Sequence, residues 1–470
     1  MPMSLLSHFL KKTSSLLIKQ SHKWQKEGRL RDPSIWDCTT NEEGHLCIDG
    51  CSAVDLVNKY GSPLLAVNTK KLVKDSNEIK SAIKSAPDGS KVLYSYKTNC
   101  IPGILKEIHE TGIGAEVISP YELWIAKELK VPGERIVYNG VDKDDESIRC
   151  AIEMGILSIN IDYMEEVDKV YQIAKSMGKI ANVGVRLGLS NGMQFGLNVE
   201  TGEAYEACKK ISELSDYLNL HCVHFNVASN TKESDTHKYY ALKALNFMSE
   251  IKHELDIDIE YLDIGGGYGV PTTKNMSGIE YGLYRTFGLL PKPPEPNNFQ
   301  SIDRFLDDVI KSITVECKKL NLNNPKLLLE PGRFVSSQSE LLLTTVLAIK
   351  TKKDGTQYAI TDAGRLSMTF PCDFEYHEIL LANDTKAKLS DNYQIMGRIC
   401  TSADWLVKNK LMPKLKVGDI LAVMDAGAYF SSYSSTFAFP RPGIISLADG
   451  DIKMMRSPET YQYLSSLDVY

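Results

Sequence analysis

The chain has 470 residues, of which 43% are hydrophobic and 24% charged, and its formal net charge is −6 at pH 7. These values are typical of a soluble protein with more than one domain, and they do not indicate nucleic-acid binding. No apolar run approaches the roughly 20 residues of a membrane-spanning helix. The ten cysteines form no C-x-x-C pair, which favours reduced thiols. We therefore expect a cytoplasmic protein with no membrane, nucleic-acid or metal partner.

Residues 1–45 are predicted to form an N-terminal extension. No acidic residue precedes Glu27, and the first residues carry a loose helical stripe of leucine and phenylalanine. A transit peptide is basic in the same way, but it favours arginine, and the basic residues before Glu27 are lysines and histidines. An added helix is therefore preferred, with a targeting signal as the alternative.

Short apolar segments alternate with polar helical segments over residues 46–335. This rhythm predicts parallel βα units, and their number fits a (β/α)8 barrel of the TIM type. A doubly wound sheet is the alternative, but no strand is followed by a complete G-x-G-x-x-G. The predicted strands are "PLLAV", "KVLYSY", "GAEVIS", "RIVYNG", "LSINI", "ANVGVRL", "LHCVHFNV", "IEYLDIGGG" and "KLLLEPG". The first residues of this range could instead join the second domain.

The alternation of apolar segments with polar helical segments ends after residue 335. Segments such as "LLLTTVLAIKTK" and "DILAVMDAGAY" are strand-like, and few helical segments separate them. Residues 336–470 are therefore predicted to form an antiparallel β-barrel or sandwich domain, which makes the chain α/β plus all-β. The Pro-rich segment 289–298 is assigned to a loop of the barrel region.

Three predicted strands end in residues that carry chemistry, and the active site of a barrel lies at this end of its strands. Lys97 follows "KVLYSY"; a desolvated lysine can form a Schiff base with a carbonyl, although a lysine that merely reaches solvent is the simpler explanation. Glycines 265–267 follow the strand "YLDI" and suit a phosphate. Glu330 ends an apolar run and needs a partner, either a protonated pyridine nitrogen or Arg333. Together these features suit pyridoxal phosphate (PLP).

Seven motifs in a fixed order resemble those of one enzyme family. They are "YSYKTN", "GAEVISPYEL", "LDIGGGYG", "EPGR", "DAGRLSMTFPCDFEYHEI", "GRICTSAD" and "DAGAYFSSYSSTFAFPRP". Over roughly residues 55–445 the chain is similar to the PLP-dependent decarboxylases of the alanine-racemase fold (fold type III), which include diaminopimelate, ornithine and arginine decarboxylases. The resemblance implies loss of the α-carboxylate of an amino acid as CO2.

The resemblance also implies a role for individual residues. Lys97 would bind PLP, Glu330 would keep its ring nitrogen protonated, and Cys400 would return a proton to the α-carbon. A homodimer would share its active sites, with Cys400 and Asp404 reaching the partner subunit. A small core side chain is the alternative for Cys400. The other implied cofactor ligands are Glu116, His224, Gly265, Gly266, Gly267, Gly332, Arg333 and Tyr429, of which Arg333 and Tyr429 would also contact substrate.

Two positions depart from the diaminopimelate enzymes of that family. Those enzymes usually have a glutamate after the cysteine and an arginine before the proline of "RPxxY", whereas this chain has Thr401 and Phe370. These two residues and Asp404 are predicted substrate contacts. The expected function is a diaminopimelate-decarboxylase-like reaction, or decarboxylation of a larger or carrier-linked amino acid as in siderophore or antibiotic pathways. A racemase and an inactive family member are the remaining alternatives.

Overall fold

The computed structural model describes residues 18–26, 30–189, 194–226, 229–369 and 371–469. The chain divides into two compact units. The barrel unit contains Val73–Gly269 and Phe299–Val335, and the β unit contains Met1–Leu72, Val270–Asn298 and Ser336–Tyr470. None of the helices in the described ranges is long and apolar enough to cross a bilayer.

The described ranges contain strands of two to twelve residues. In chain order they are β1 Cys38–Thr40, β2 Leu46–Ile48, β3 Cys51–Ser52, β4 Leu64–Asn68, β5 Lys91–Ser95, β6 Gly114–Val117, β7 Ile136–Tyr138, β8 Ser158–Ile161, β9 Ala181–Gly188, β10 Leu197–Asn198, β11 Leu218–His224, β12 Tyr261–Asp263, β13 Lys274–Asn275, β14 Lys326–Leu329, β15 Glu340–Thr351, β16 Gln357–Thr361, β17 Glu375–Tyr376, β18 Ile379–Leu381, β19 Asp391–Met396, β20 Trp405–Met412, β21 Ile420–Val423, β22 Gly443–Ala448 and β23 Asp451–Arg456.

In the same ranges, the helices from Pro102 to Lys319 lie between barrel strands in the sequence, and the other helices precede or follow the barrel strands. They are α1 18–26, α2 Ala53–Tyr60, α3 Thr69–Ala82, α4 Pro102–Glu110, α5 Pro120–Glu128, α6 Asp145–Met154, α7 Met164–Met177, α8 Glu203–Glu213, α9 Asp235–Leu255, α10 Gly278–Phe287, α11 Ile302–Lys319, α12 Arg333–Ser336, α13 Arg365–Met368, α14 Pro371–Phe374, α15 Phe430–Tyr433 and α16 Tyr461–Leu464.

The barrel unit is a closed ring of parallel strands, as the alternating sequence predicted. The strands follow the order β9-β11-β12-β14-β5-β6-β7-β8, and β8 pairs with β9 to close the ring. Side chains such as Leu93, Val137 and Leu328 form its buried apolar core. Closure places all the carboxyl ends of the strands on one rim, so residues that follow different strands become neighbours.

Local sequence signals explain where the outer helices begin. Ser119 caps α5 by accepting a hydrogen bond from the backbone N–H of Glu122, and Asp144 caps α6 through Ser147. Pro120 occupies the first turn of α5, where its missing N–H costs nothing. The helix α11 buries apolar residues at a helical spacing, including Phe305 and Val309.

The β unit is built on a seven-stranded path, β20-β19-β16-β15-β4-β22-β23. Most of its pairs are antiparallel, as expected, but β16–β19 and β4–β22 are parallel. The strand β21 pairs with both β15 and β18. A small sheet β1-β2-β3 and the pair β13–β17 complete the unit.

Two segments lie in a different unit from the one their sequence rhythm indicated. The strand β4 contains most of "PLLAV", yet it pairs with β15 and β22 in the β unit. The Pro-rich segment 289–298 also belongs to the β unit, and directly before it the backbone oxygen of Gly288 accepts a hydrogen bond from Nδ2 of Asn409 on β20 at 2.8 Å. The hydrogen-bond partners of β4 and of Gly288 lie on strands that are distant in sequence, and a local pattern carries no information about such partners.

Within the predicted N-terminal extension, residues 18–26 form the helix α1, which contacts the edge strand β20, whereas Pro33–Trp36 form a 3-10 turn and Cys38–Thr40 form the strand β1. The side-chain oxygen of Gln25 accepts a hydrogen bond from the N–H of Leu411 at 2.8 Å, and its nitrogen donates to the oxygen of Asn409 at 3.2 Å. Ser21 donates to the backbone oxygen of Leu290 at 2.8 Å. A glutamine thus binds the backbone of β20 on the edge where the described residues place no further strand. Residues 1–17 lie outside the described ranges.

Candidate active site

Lys97 lies in a short 3-10 turn, Tyr96–Thr98, directly after β5. Its Nζ is 3.1 Å from Oε2 of Glu116, a carboxylate that is fully buried on the neighbouring strand β6. Ser95 donates a hydrogen bond to the same oxygen at 2.5 Å. The Lys97 side chain is 34% exposed. Glu116 therefore holds the lysine in place while leaving it accessible to a reactant.

Asn139, directly after β7, joins Glu116 to a second carboxylate. Its Nδ2 donates to Oε1 of Glu116 at 3.0 Å and to Oε1 of Glu330 at 2.6 Å. Its Oδ1 accepts from Nδ2 of Asn160 at 2.8 Å, so the amide cannot flip without losing all three bonds. The lysine and Glu330 are therefore tied into one hydrogen-bonded network at the rim of the barrel.

Glu330 lies beside a histidine and a second buried acid. His224 Nε2 is 3.5 Å from Glu330 Oε2, and one ligating atom each of His224, Asp263 and Glu330 lies within 4.8 Å of the others. Burial raises the pKa of Asp263 well above its ordinary value, and the charge of Glu330 raises it further. Burial also opposes ionisation of Glu330, but the charges of His224 and Lys97 outweigh it and hold the pKa of Glu330 below its usual range. The pKa values of the two neighbouring carboxyls are therefore shifted in opposite directions, upward for Asp263 and downward for Glu330.

The turn after β12 contains the predicted glycines, and its carbonyl oxygens are all bonded. Gly265 oxygen accepts from the N–H of Glu330 at 2.9 Å, and Gly266 oxygen accepts from Nε2 of His237 at 2.8 Å. Gly267 oxygen accepts from the backbone and side chain of Thr231, each at 2.8 Å.

The three glycines of this turn cannot be replaced by residues with a side chain. Gly265 and Gly267 have φ of +65° and +87°, and a Cβ on Gly266 would lie 2.4 Å from the oxygen of Glu330. The geometry therefore requires glycine, and it leaves a turn without side chains beside the carboxylate network.

Gly332 and Arg333 follow Glu330 and close the same part of the rim. A Cβ on Gly332 would lie 1.9 Å from Oγ1 of Thr98, so this backbone packs directly against the turn of Lys97. Arg333 is 5% exposed and begins the short helix α12. The barrel unit thus brings together Lys97, Glu116, His224, the three glycines, Glu330, Gly332 and Arg333.

The other predicted site residues belong to the β unit. Cys400 and Thr401 are exposed in the loop between β19 and β20, and the Thr401 hydroxyl accepts from the N–H of Ala403 at 3.3 Å. Asp404 is buried at 1% exposure in the same loop. Tyr429 precedes α15 with a φ of +71°, which is strained for an aromatic residue. Phe370 lies outside the described residues.

Sequence reasoning missed several residues of the rim. Asn139 and Asp263 each lie at or directly after the end of a barrel strand, which is the position that pointed to Lys97 and Glu330. Asn139 precedes a glycine and therefore looks like part of a turn, and His237 is distant in sequence from the glycines whose carbonyl it binds. The position of Asn139 and Asp263 at strand ends is a signal that could have identified both residues from the sequence. No sequence signal identifies His237.

The barrel rim fits PLP, the cofactor that the sequence predicted. Among the described residues, Glu330 Oε2, Asp263 Oδ2 and both ring nitrogens of His224 have no hydrogen-bond partner, although all are buried. Buried polar atoms of this kind are normally bonded, so they indicate a polar group that binds here. A protonated pyridine nitrogen suits an ionised carboxylate, and the glycine turn suits a phosphate.

Comparisons with known proteins agree with this assignment. Residues 70–337 match the family model described as "Pyridoxal-dependent decarboxylase, pyridoxal binding domain". The diaminopimelate decarboxylase of Methanocaldococcus jannaschii is 30% identical over 452 residues, which is 92% of this chain and 97% of that protein. The diaminopimelate decarboxylase of Aquifex aeolicus is 28% identical over 444 residues, 91% of this chain and 97% of that protein.

A solved structure is similar in fold as well as in sequence. The M. jannaschii diaminopimelate decarboxylase in complex with L-lysine superposes with a TM-score of 0.82 at 29% identity, covering 92% of this chain and 98% of that one. The matched part of the chain includes residues of both units and is not limited to the barrel unit.

Proposed function

Because the chain belongs to the pyridoxal-dependent decarboxylase family, we propose that it removes CO2 from an α-amino acid whose distal end carries no ammonium group. The reaction class follows from the family: the protein is a PLP-dependent amino-acid carboxy-lyase. The proposal concerns the substrate, the roles of individual residues and the assembly.

The barrel rim would bind the cofactor through the residues described above. Lys97 provides the amine, Glu330 the carboxylate for the ring nitrogen, and the glycine turn the phosphate site. PLP supplies an electron sink for the electron pair that CO2 leaves behind. The contribution of the chain is to keep Glu330 ionised by means of His224 and to hold Lys97 beside Glu116.

Cys400 is proposed as the acid that returns a proton to the α-carbon. It is an exposed free thiol at the tip of a loop, which distinguishes it from the buried cysteines such as Cys208 and Cys222. Burial raises the pKa of those two thiols far above the usual range, so neither would exchange protons readily at neutral pH.

The absence of a carboxylate for a distal ammonium carries the substrate proposal. Asp373 forms an ion pair with Arg365, and both oxygens of Asp404 accept hydrogen bonds from backbone N–H groups. Thr401 stands where the diaminopimelate enzymes usually have a glutamate. In the loops around Cys400 that the structure describes, no acidic side chain is therefore left for a distal amine.

Arg398 makes an acidic or neutral distal end more suitable than a basic one. Its guanidinium lies over the ring of Phe439, 4.0 Å from the ring centre, two residues before Cys400. Among the residues that the structure describes, no carboxylate lies within ion-pair distance of Arg398. Neutral, amide-linked and carrier-linked amino acids all meet this condition.

Diaminopimelate is the rival substrate, since it is named for the curated relatives at 25–30% identity. Release of CO2 from matched amino acids distinguishes the two possibilities. L-lysine and Nε-acetyl-L-lysine differ in their distal charge, and meso-diaminopimelate tests the rival directly. We expect kcat/KM to be higher for the acetylated compound, and to be low for meso-diaminopimelate. A kcat/KM of about 10⁴ M⁻¹s⁻¹ or more for meso-diaminopimelate would reject the substrate proposal.

We further propose that the enzyme is a homodimer with shared active sites, in which Cys400 of one subunit serves Lys97 of the other. This arrangement is supported by the family resemblance, and the two residues belong to different units of the chain. Mixing inactive K97A protein with inactive C400A protein should then restore partial activity through hybrid dimers. If the subunits exchange and no activity returns, the shared site is refuted.

A further inference from the structure

The side chain of Asp404 joins two loops of the β unit. Its Oδ1 accepts a hydrogen bond from the N–H of Arg365 at 2.7 Å, and its Oδ2 accepts from the N–H of Ile399 at 2.9 Å. The backbone of Asp404 adds two bonds, because its oxygen accepts from Gly397 at 2.9 Å and its N–H donates to Thr401 at 3.2 Å. One buried carboxylate therefore fixes the loop that contains Cys400.

The space around this carboxylate is available only because both loops have a glycine there. A Cβ on Gly364 would lie 2.3 Å from Oδ1 of Asp404, and a Cβ on Gly397 would lie 2.3 Å from Oδ2. Neither glycine has a positive φ, so backbone conformation does not explain them. The close approach of the carboxylate does.

We propose that Asp404 is a positioning residue that holds Cys400 in place for proton return, rather than a residue that contacts substrate. Both of its oxygens already accept backbone hydrogen bonds, and it is 1% exposed. The same side chain ties the Cys400 loop to Arg365, whose side chain is paired with Asp373. Asp404 thereby couples the position of the proposed acid to the loop proposed to face the distal end of the substrate. The inference rests on the proposed role of Cys400.

The D404N variant tests this role, since it keeps the size of the side chain but replaces one acceptor oxygen by an N–H donor that faces a backbone N–H. In the intact holoenzyme we expect faster hydrogen exchange of the Ile399 and Arg365 amides. We also expect a changed rate of Cys400 alkylation by iodoacetamide, measured by peptide mass spectrometry. Neither measurement needs a substrate, so both give a result even if the substrate proposal fails.

The catalytic consequence is a fall in kcat with KM little changed. With the amino acid that gives the fastest CO2 release, D404N should lose about 10- to 100-fold in kcat, the effect of misplacing a reacting group by about 1 Å. In deuterated water, the single deuterium delivered to the α-carbon should also lose stereospecificity, because a displaced thiol no longer protonates one face. A residue that only stabilises the fold would not change that stereochemistry.

Two further variants keep the test decisive. D419N is the matched control, since Asp419 is also a buried acid of the β unit that accepts from a backbone N–H, that of Lys416 at 2.8 Å. G364A leaves the carboxylate intact but crowds it, and should reproduce the D404N behaviour. The inference is overturned if D404N keeps the alkylation rate, amide exchange and stereospecificity of the wild type. It is also overturned if D404N raises KM and leaves kcat unchanged, because that result would indicate that Asp404 binds substrate.

Discussion

The buried carboxyl of Glu122 makes the stability of the barrel unit depend on pH. Glu122 is 6% exposed on α5, and its Oε2 accepts from the N–H of Ile118 at 2.7 Å. Burial raises its pKa from 4.5 to about 7, and the charge of the nearby Glu116 contributes in the same direction. The folded protein thus holds a proton that the unfolded chain releases.

The sign and size of the effect follow from this difference. Below pH 4.5 the carboxyl is protonated in both states, and its contribution to stability is fully present. As pH rises from 4.5 to 7 the unfolded state loses the proton first, so stability falls. At about 1.4 kcal/mol for each pH unit, the loss reaches about 3 kcal/mol by pH 8. A glutamine stays neutral and keeps the carbonyl that Ile118 requires.

The E122Q variant should therefore gain stability relative to the wild type, by about 3 kcal/mol more at pH 8 than at pH 4.5. Urea unfolding followed by circular dichroism measures the free energy of unfolding of both proteins at each pH. The other titrating groups are present in both proteins, so their effects cancel in the difference between E122Q and the wild type. Exchange of the Ile118 amide reports the same change locally. E128Q, on the exposed part of α5, controls for removal of a charge. An equal wild-type-to-E122Q difference at both pH values would refute the reasoning.

Three other outcomes are expected. Borohydride reduction should attach the cofactor to the peptide of Lys97, and K97A should release no CO2; a label on another lysine would move the site. The double variant T401E/F370R should raise kcat/KM for meso-diaminopimelate about tenfold or more, as a restored contact of about 1.4 kcal/mol implies, and no change would show that other residues recognise the distal end. Q25A should lower the free energy of unfolding by about 1–2 kcal/mol and speed exchange of the Leu411 amide; unaltered exchange would show that α1 does not protect β20.

The barrel could be predicted from the sequence because its signals are local. Each strand of the ring is a short apolar run followed by a helical segment, and the rim residues Lys97 and Glu330 directly follow such runs. Closure of the ring then brings the ends of successive strands together, so these residues become neighbours. The family resemblance added the cofactor and the reaction, and the comparisons confirmed both.

Long-range contacts could not be predicted in the same way. The partners of β4 lie beyond the whole barrel in the sequence, so the alternating pattern grouped β4 with the barrel and left its place in the second domain as the alternative. Asp404 is the last residue of the motif "GRICTSAD", yet its side-chain oxygens accept hydrogen bonds from backbone N–H groups, which no pattern of side chains reveals. The choice of substrate and the shared dimer site are also predictions, because both depend on groups that the fold brings together from distant parts of the sequence.

The position of β4 also sets an order for folding during synthesis. All five of its residues are buried, and they lie between β15 and β22 in the sheet. During synthesis β4 leaves the ribosome before every strand of the barrel, and its two neighbours in the sheet, β15 and β22, leave only after the barrel strands. The barrel unit can therefore complete its hydrogen bonds while an apolar strand upstream is still unpaired. Such a strand is a site for aggregation or chaperone binding until the last part of the chain emerges.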